Sequence, residues 1–270
     1  MIFPSAISIF SGLGFSVLIA GIAFYLQALS LSGALAAALL GTIVFGLGGY
    51  AQTAVLLVFF FSSSLLSVIF KKRKKLVNEK FAKGSRRDAS QVLANGGIAG
   101  LCVILGALFP DQPVFWWMFC AAFAAANADT WATEIGVLSK FSPRLITNFK
   151  LVEMGTSGGI TFLGSVSALA GAGLISGIAG IFHPDVSALW SISFAGFFGS
   201  LVDSWLGASV QGVYYCAACG KETEKHPLHS CGNHTQLIRG WNWLNNDWVN
   251  TFCTLSAALA IGYVFLLILN

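Results

Sequence analysis

The sequence predicts an all-α membrane protein, a polytopic bundle of about eight helical spans. Three observations carry that expectation. Of the 270 residues, 56% are hydrophobic and only 10% are charged, against roughly a quarter charged in soluble domains. No Asp, Glu, Lys or Arg precedes Lys71. Apolar runs of about twenty residues, the length that crosses a bilayer as a helix, recur between short polar stretches.

Backbone groups in lipid must hydrogen-bond internally, so each run is read as a helix. Spans are expected at 7–29, 33–48, 52–70, 92–109, 115–138, 158–182, 188–210 and 250–269. The second is short and is expected to tilt or re-enter. No basic stretch precedes the first run, so a cleaved signal peptide is not expected. The loop KKRKKLVNEKFAKGSRRDAS holds nine of the 15 Lys and Arg residues, with Lys140, Arg144 and Lys150 in the next alternate loop and Lys221, Lys225 and Arg239 in the one after. Positive charge stays inside, which puts the N-terminus outside and these loops in the cytoplasm, with the bundle in the cell inner membrane. The opposite loops carry only Asp111 and Asp185. Trp116, Trp117 and Trp190 begin spans at the outer interface, and Trp241, Trp243 and Trp248 precede the last span at the inner one, as aromatic anchors.

The organisation expected is a three-span segment (1–70), a core of two loop-plus-hairpin units (71–210), a cytoplasmic Cys/His loop (211–249) and a last span (250–270). The KKRKK run is read as a topology determinant that touches anionic lipid, and no nucleic-acid partner is expected. No oligomeric state is read from the chain.

At the end of an otherwise uncharged run stands AANADTWATEIG, with Asp129 and Glu134, and a near-copy, FGSLVDSWLGAS, places Asp203 where Asp129 stood. A basic loop and NGGIAGL precede the first hairpin, and a basic loop and SGGITFL precede the second. Such a parallel repeat is one way to build a site between two similar halves. Gly199, Asp203 and Gly207 share one helical face, as do Ala125, Asp129 and Thr133. Glu134 lies about 140° away from Asp129 around the helix, with Asn127 and Thr130. Burying ionised carboxylates costs several kcal/mol unless they are paired or metal-bound. A divalent cation such as Mg²⁺, held by Asp129 and Asp203, resolves that conflict. The alternative is that each aspartate forms a helix-to-helix hydrogen bond or pairs with a local Lys or Arg.

The loop SPRLITNFKLVEMGTSGGIT supplies Gly155, Gly158 and Gly159 for close backbone approach, the hydroxyls of Thr156, Ser157 and Thr161, and the charges of Arg144 and Lys150. The amides that open the next helix point at it, an arrangement that suits phosphate; a plain turn is the alternative. Lys83, Arg86, Arg87, Gln91, Asn95, Gly96 and Gly97 form the corresponding lead-in to the first hairpin, where the alternative is topology charge alone. Asn246, Asp247 and Asn250 stand at the mouth of the final span, as a helix cap or as a third oxygen cluster.

In YYCAACGKETEKHPLHSCGNHTQ, Cys216 and Cys219 form one chelating pair, and Cys231 with His234 forms another. The spacing suits a structural tetrahedral zinc site, with His229 or His226 as substitute fourth ligands. A redox cysteine pair is the alternative. A disulfide is disfavoured in a reducing compartment, and Cys102, Cys120 and Cys253 read as small core residues.

The set QVLANGG, ADTWATEIG, PRLIT, GTSGGIT, VDSWLGASVQ and NNDWVN, in this order from about Arg86 to Asn250, resembles the integral membrane family named domain of unknown function 92. That family includes plant phytyl-phosphate kinases, an animal multi-pass protein and many bacterial members. The resemblance implies a kinase that passes a phosphoryl group from a nucleoside triphosphate, CTP foremost, to an isoprenyl monophosphate. It carries no catalytic assignment, so roles rest on chemistry. Mg²⁺ on Asp129 and Asp203, with Glu134 or Asp247 completing its shell, would bridge the donor phosphates. Arg86, Arg144, Lys150 and the two Gly-Gly turns would hold the rest, and the tail would lie between spans. The Cys/His loop looks absent from the plant members, which sets zinc outside the shared reaction. Two alternatives stand beside this reading: a lipid-phosphate cytidylyltransferase, which would release pyrophosphate, and a secondary transporter, against which the gathering of charge at one face counts.

Overall fold

The structure, a computed structural model, describes residues 6–70 and 86–269. Its helices are α1 (Ala6–Tyr25), α2 (Leu31–Ile43), α3 (Gly49–Ile69), α4 (Ala89–Leu108), α5 (Val114–Gly136), α6 (Phe162–Phe182), α7 (Val186–Ser209) and α8 (Asn246–Leu269), with a π-helical turn (Val44–Gly48) between α2 and α3. Short strands occupy the loops: β1 (Arg144–Leu145) pairs antiparallel with β2 (Gly159–Ile160), and β3 (Val213–Cys216) lies between β4 (Lys221–Thr223) and β5 (Gln236–Arg239). The KKRKK run and Lys83 lie outside the described residues.

Helices begin where a side chain takes the orphan amides of the first turn. Ser30 Oγ accepts from Gly33 N at 3.1 Å, Thr161 Oγ1 from Gly164 N at 3.0 Å, and Asp185 Oδ1 from Ser187 N at 3.0 Å. At α4 the cap is reciprocal: Asp88 Oδ1 accepts from Gln91 N at 3.0 Å, and Gln91 Oε1 accepts from Asp88 N at 3.1 Å. That box starts α4 ahead of Asn95, so Gly96 and Gly97 lie inside a helix rather than in a turn, contrary to the sequence expectation. Gly96 serves packing instead, because a Cβ there would run into Leu40 of α2.

Helix α5 is the axis of the bundle, packed against α3, α4, α6, α7 and α8. Residues 119–128 are all buried, and most are alanine. Small residues set the separation. A Cβ on Gly196 of α7 would lie 2.6 Å from Ala124 Cβ, and one on Gly199 would lie 2.7 Å from both Ala125 Cβ and the Cys253 carbonyl of α8. Large apolar side chains such as Phe10, Leu35, Phe61, Phe162 and Leu266 point outward instead. Small inside and large outside is the pattern of helices solvated by lipid. Within the buried interior Asn127 bonds through both ends of its amide: its Oδ1 accepts from Ser62 Oγ at 2.9 Å, and its Nδ2 donates to the Gly171 carbonyl at 2.8 Å. Each such bond contributes roughly 0.6 kcal/mol in a bilayer.

Six segments are long and apolar enough to cross a membrane: Ala6–Tyr25, Leu31–Ile69, Ala89–Leu108, Phe162–Phe182, Val186–Ser209 and Asn246–Leu267. The 39-residue segment Leu31–Ile69 contains both the second and the third expected spans, with the helical path broken at Gly49 (φ 81°, ψ −160°). Helix α5 is absent from the six because Asn127, Asp129, Thr130, Thr133 and Glu134 dilute its hydropathy.

Gly199→Leu should force α5, α7 and α8 apart and lower the unfolding free energy by roughly 1–3 kcal/mol, the range for overpacking. Gly173→Leu, whose Cβ meets nothing within 4 Å, should be nearly neutral. Thermal unfolding in detergent compares the two.

Candidate active site

Packing α7 on α5 through Gly196 and Gly199 has a direct consequence one turn further on. Asp129 follows Ala125, and Asp203 follows Gly199, by four residues, about 6 Å along each axis. The two carboxyls therefore meet: Asp203 shares a side-chain hydrogen bond with Asp129, and Glu224 lies within electrostatic reach. They line a cavity of about 320 Å³ at this end of the bundle. Asp203 Oδ2 is buried there and takes no hydrogen bond from the described residues. An acidic oxygen buried beside other carboxylates suits a hard divalent cation.

Glu134 and Asp247 reach the same cavity from other directions. Glu134 is 4% exposed and faces α3, accepting from Ser67 Oγ at 2.6 Å. Asn245 caps α8, accepting from Asp247 N at 3.0 Å and Trp248 N at 3.2 Å, so Asp247 is not the capping residue. Asp247, Asn246 and Asn250 all line the cavity.

The Gly-rich loop forms the wall opposite, with Thr156, Ser157, Gly158 and Gly159 lining it and Thr161 capping α6 just beyond. Gly158 has φ 78°, and a Cβ on it would collide with Ala208 of α7. Only glycine meets both demands, open backbone and closest approach. The end of α7 is fixed in turn by Arg239, whose Nη1 and Nη2 donate to the Ala208 and Gly207 carbonyls, each at 3.0 Å.

Sequence reasoning missed Glu224. It follows β4 in the Cys/His loop, where Glu222 and Lys225 dilute any signal, and no local spacing connects it to α7. In the fold its Oε1 accepts from Ser157 Oγ at 2.6 Å and from Gln211 Nε2 at 2.8 Å, and it lines the cavity. Five carboxylates thus face one guanidinium, that of Arg87, the single Lys or Arg lining the cavity among the described residues. Burial pulls the Arg87 pKa below the ordinary arginine value, and Glu134 partly restores it.

Other expected phosphate ligands lie elsewhere. Arg86 Nε donates to the Leu29 carbonyl at 3.0 Å, and its guanidinium sits 5.3 Å from the Phe24 ring centre, so it belongs to the α1–α2 turn. Arg144 Nη1 donates to the Phe149 carbonyl at 2.8 Å and staples its own loop, while Lys150 is exposed in that loop. Gly96 and Gly97 are helical, as described above, whereas Asn95 does line the cavity, its Nδ2 donating to the Gln91 carbonyl at 2.8 Å.

Cys216, Cys219, Cys231 and His229 gather with ligand atoms within 4.8 Å of one another and could hold a metal ion. The fourth member is His229, not His234. An antiparallel bridge between Leu228 and His234 leaves His234 exposed, while His229 Nδ1 approaches Cys219 Sγ at 3.4 Å and Cys231 Sγ at 3.3 Å. Gly220 (φ 66°) and Gly232 (φ 84°) make the turns that bring the two arms together. Hydrogen bonds from Asn233, then from His229, draw the Cys231 thiol down to about 5. Contact with Cys231 pushes the Cys219 thiol up to about 11. A cluster that already favours a thiolate suits a thiophilic cation.

A profile of the family described as integral membrane protein DUF92 matches residues 14–258. Protein PGR of Arabidopsis thaliana is 34% identical over 264 residues, 87% of this chain and 88% of that one. An uncharacterized membrane protein of Methanocaldococcus jannaschii is 39% identical over 125 residues, 45% of this chain and 50% of its own. The chloroplastic protein VTE6 of Arabidopsis thaliana is 26% identical over 246 residues, 87% of this chain and 64% of its own. No solved structure matches the chain.

Purified protein should retain about one thiophilic divalent ion per chain by elemental analysis. His229→Ala should weaken retention at least about tenfold, and His234→Ala should leave it unchanged. The reverse order would restore the Cys231–His234 pair as ligands.

Proposed function

The chain belongs to the integral membrane DUF92 family, and from that premise we propose that it is a lipid-phosphate kinase, moving the terminal phosphoryl group of CTP or another nucleoside triphosphate onto an isoprenyl monophosphate. One observation carries the reading: acidic side chains from α5, α7, α8 and the Cys/His loop meet a glycine-rich helix entrance in one polar cavity at the end of a membrane bundle. The resemblance to phytyl-phosphate kinases supplies the reaction class.

The chemistry balances simply. An oxygen of the lipid monophosphate bonds to the γ-phosphorus, the bridging bond to the β-phosphate breaks, and the nucleoside diphosphate leaves with that electron pair. The attacking phosphate is already anionic, so no strong base is required. Asp129 and Asp203 would hold Mg²⁺, with Asp247 or Glu134 completing its shell, and the ion supplies charge neutralisation between the donor phosphates. Main-chain amides of Ser157 and Gly158, with those at the start of α6, orient donor oxygens, since Thr156 N and Gly159 N already donate within the loop. Ser157 is aimed by Glu224, and Arg87 faces the acceptor phosphate.

The remaining expectations take their place within this reading. Eight alternating passes with the N-terminus outside put the cavity at the cytoplasmic face, and the hairpins α4–α5 and α6–α7 act as two parallel halves that each deliver an aspartate. Zinc in the Cys/His cluster is structural, because three thiolates and one imidazole fill a tetrahedral shell.

Purified protein with Mg²⁺, γ-labelled CTP or ATP, and phytyl, geranylgeranyl or undecaprenyl monophosphate should yield a labelled lipid diphosphate. Asp129→Asn with Asp203→Asn should reduce the label to background while folding is retained. Cytidine carried onto the lipid with release of pyrophosphate would reassign the reaction to cytidylyl transfer, and ion-gradient flux without turnover would make the chain a transporter. Gly158→Ala should cut kcat by about 100-fold, since displacing a positioning loop by an ångström has that effect. An unchanged kcat in that variant removes the loop from the site.

A further inference from the structure

We propose that the crevice enclosed by α1, α2, α3 and α4 seats the head-proximal end of the acceptor lipid, with its phosphate on Arg87. The proposal takes from the kinase reading that the acceptor is an isoprenyl monophosphate.

A second cavity, of about 80 Å³, lies between these four helices. Phe15, Leu40, Leu56 and Phe60 form its walls, and Ala20, Ala37 and Gly41 leave the space open. Its character changes at one end, where Arg87, Gln91 and Asn95 line it. Among the described residues, those same three and no others also line the carboxylate cavity. The apolar slot therefore adjoins the polar site at a cationic and amide-bearing gate. This sequence of surfaces matches an amphiphile with an apolar tail and an anionic head.

The gate is built as one piece with the slot. Arg87 N donates to the Ala28 carbonyl at 3.0 Å, and Ser30 N donates to the Arg87 carbonyl at 2.9 Å, so the α1–α2 turn holds the Arg87 backbone on both sides. A Cβ on Gly33 of α2 would run into the Arg87 carbonyl, so nothing wider fits there. The guanidinium lies 5.8 Å from the Phe59 ring centre, on the helix that walls the slot. Bidentate geometry makes Arg suited to a phosphate that must be aimed rather than merely attracted.

The slot is small. Its 80 Å³ compares with about 150 Å³ for an apolar cavity that accepts benzene. It encloses roughly the first isoprene unit, and the remainder of the chain lies in the bilayer. Selectivity should therefore follow the head-proximal unit and ignore chain length. It also gives the N-terminal helices α1–α3, which among the described residues supply only Ser67 to the polar cavity, a part in binding substrate.

The test uses the full chain in phosphatidylcholine nanodiscs with a geranylgeranyl monophosphate analogue that carries a diazirine on its first isoprene unit. Peptide mapping should place the adduct on α1–α4 within the slot. Unlabelled geranylgeranyl monophosphate should compete, whereas geranylgeraniol and phosphatidic acid should not. Ala37→Phe should raise the KM for lipid phosphate by roughly 10- to 200-fold and leave the nucleotide KM unchanged; Ala37→Leu repeats the measurement with a smaller perturbation. Arg87→Gln should lose phosphate-dependent labelling, with Arg87→Lys intermediate. Adducts spread over lipid-facing surfaces, adducts on α6–α8, or equal competition by phosphatidic acid would each overturn the proposal. Phosphate-dependent labelling of the slot without phosphoryl transfer keeps the lipid site and rejects the kinase. Transfer with an unaltered lipid KM in both Ala37 variants keeps the kinase and rejects the slot.

Discussion

The structure depends on how closely α7 approaches α5. Gly196 and Gly199 bring the α7 backbone onto Ala124 and Ala125, and the contact leaves no room for a larger side chain. One turn later the same two helices carry Asp129 and Asp203, which then have no choice but to share a space. Two carboxylates in one apolar bundle repel each other and cost several kcal/mol to desolvate. The buried alanine face of α5 absorbs that cost, since its packing holds the pair together whatever the charges do. Apolar packing at one end of the helix thus fixes polar chemistry at the other.

The Cys/His loop extends the same device from outside the bundle. Strands β3, β4 and β5 present three side chains to the end of α7 and the loop beside it: Gln211 just before β3, Glu224 just after β4 and Arg239 at the end of β5. Glu224 joins Gln211 to Ser157, while Arg239 closes the last carbonyls of α7. Across the same small sheet, Cys216 ends β3 within the thiolate and imidazole cluster. A metal there would act on the cavity indirectly, by keeping the sheet folded and so keeping Glu224 in place. This gives the loop a physical part in the site even where zinc takes none in the reaction.

Much of the candidate site was legible because its residues are out of place. Asp129, Asp203 and Glu134 stand in apolar helices, and Asp247, Asn246 and Asn250 crowd a span entrance. Residues of that kind cost energy and so call for a reason. Cations were less legible. Arg86, Arg87, Arg144 and Lys150 all sit in basic loops, and nothing local separates Arg87, held by the α1–α2 turn, from Arg144, which bonds its own loop. Gly96 and Gly97 read as a turn by their own backbone freedom, whereas the reciprocal Asp88 and Gln91 cap ahead of them starts a helix that carries both. His234 completed a regular Cys-x-x-His spacing, but a bridge to Leu228 turned it outward and left His229 inside.

By itself the sequence determined that this is a membrane bundle, where its helices run, and which polar residues are too costly to be idle. Those properties follow from composition and short-range periodicity, which any stretch of chain carries with it. Tertiary structure alone decided which of those residues meet: Asp129 with Asp203, Glu224 with Ser157, and Arg87 with both a polar and an apolar cavity. Meetings of that kind depend on the distance between helices remote in the chain and on loops folding back across them. Small-residue contacts, caps and backbone bonds set those distances only once the whole bundle has closed.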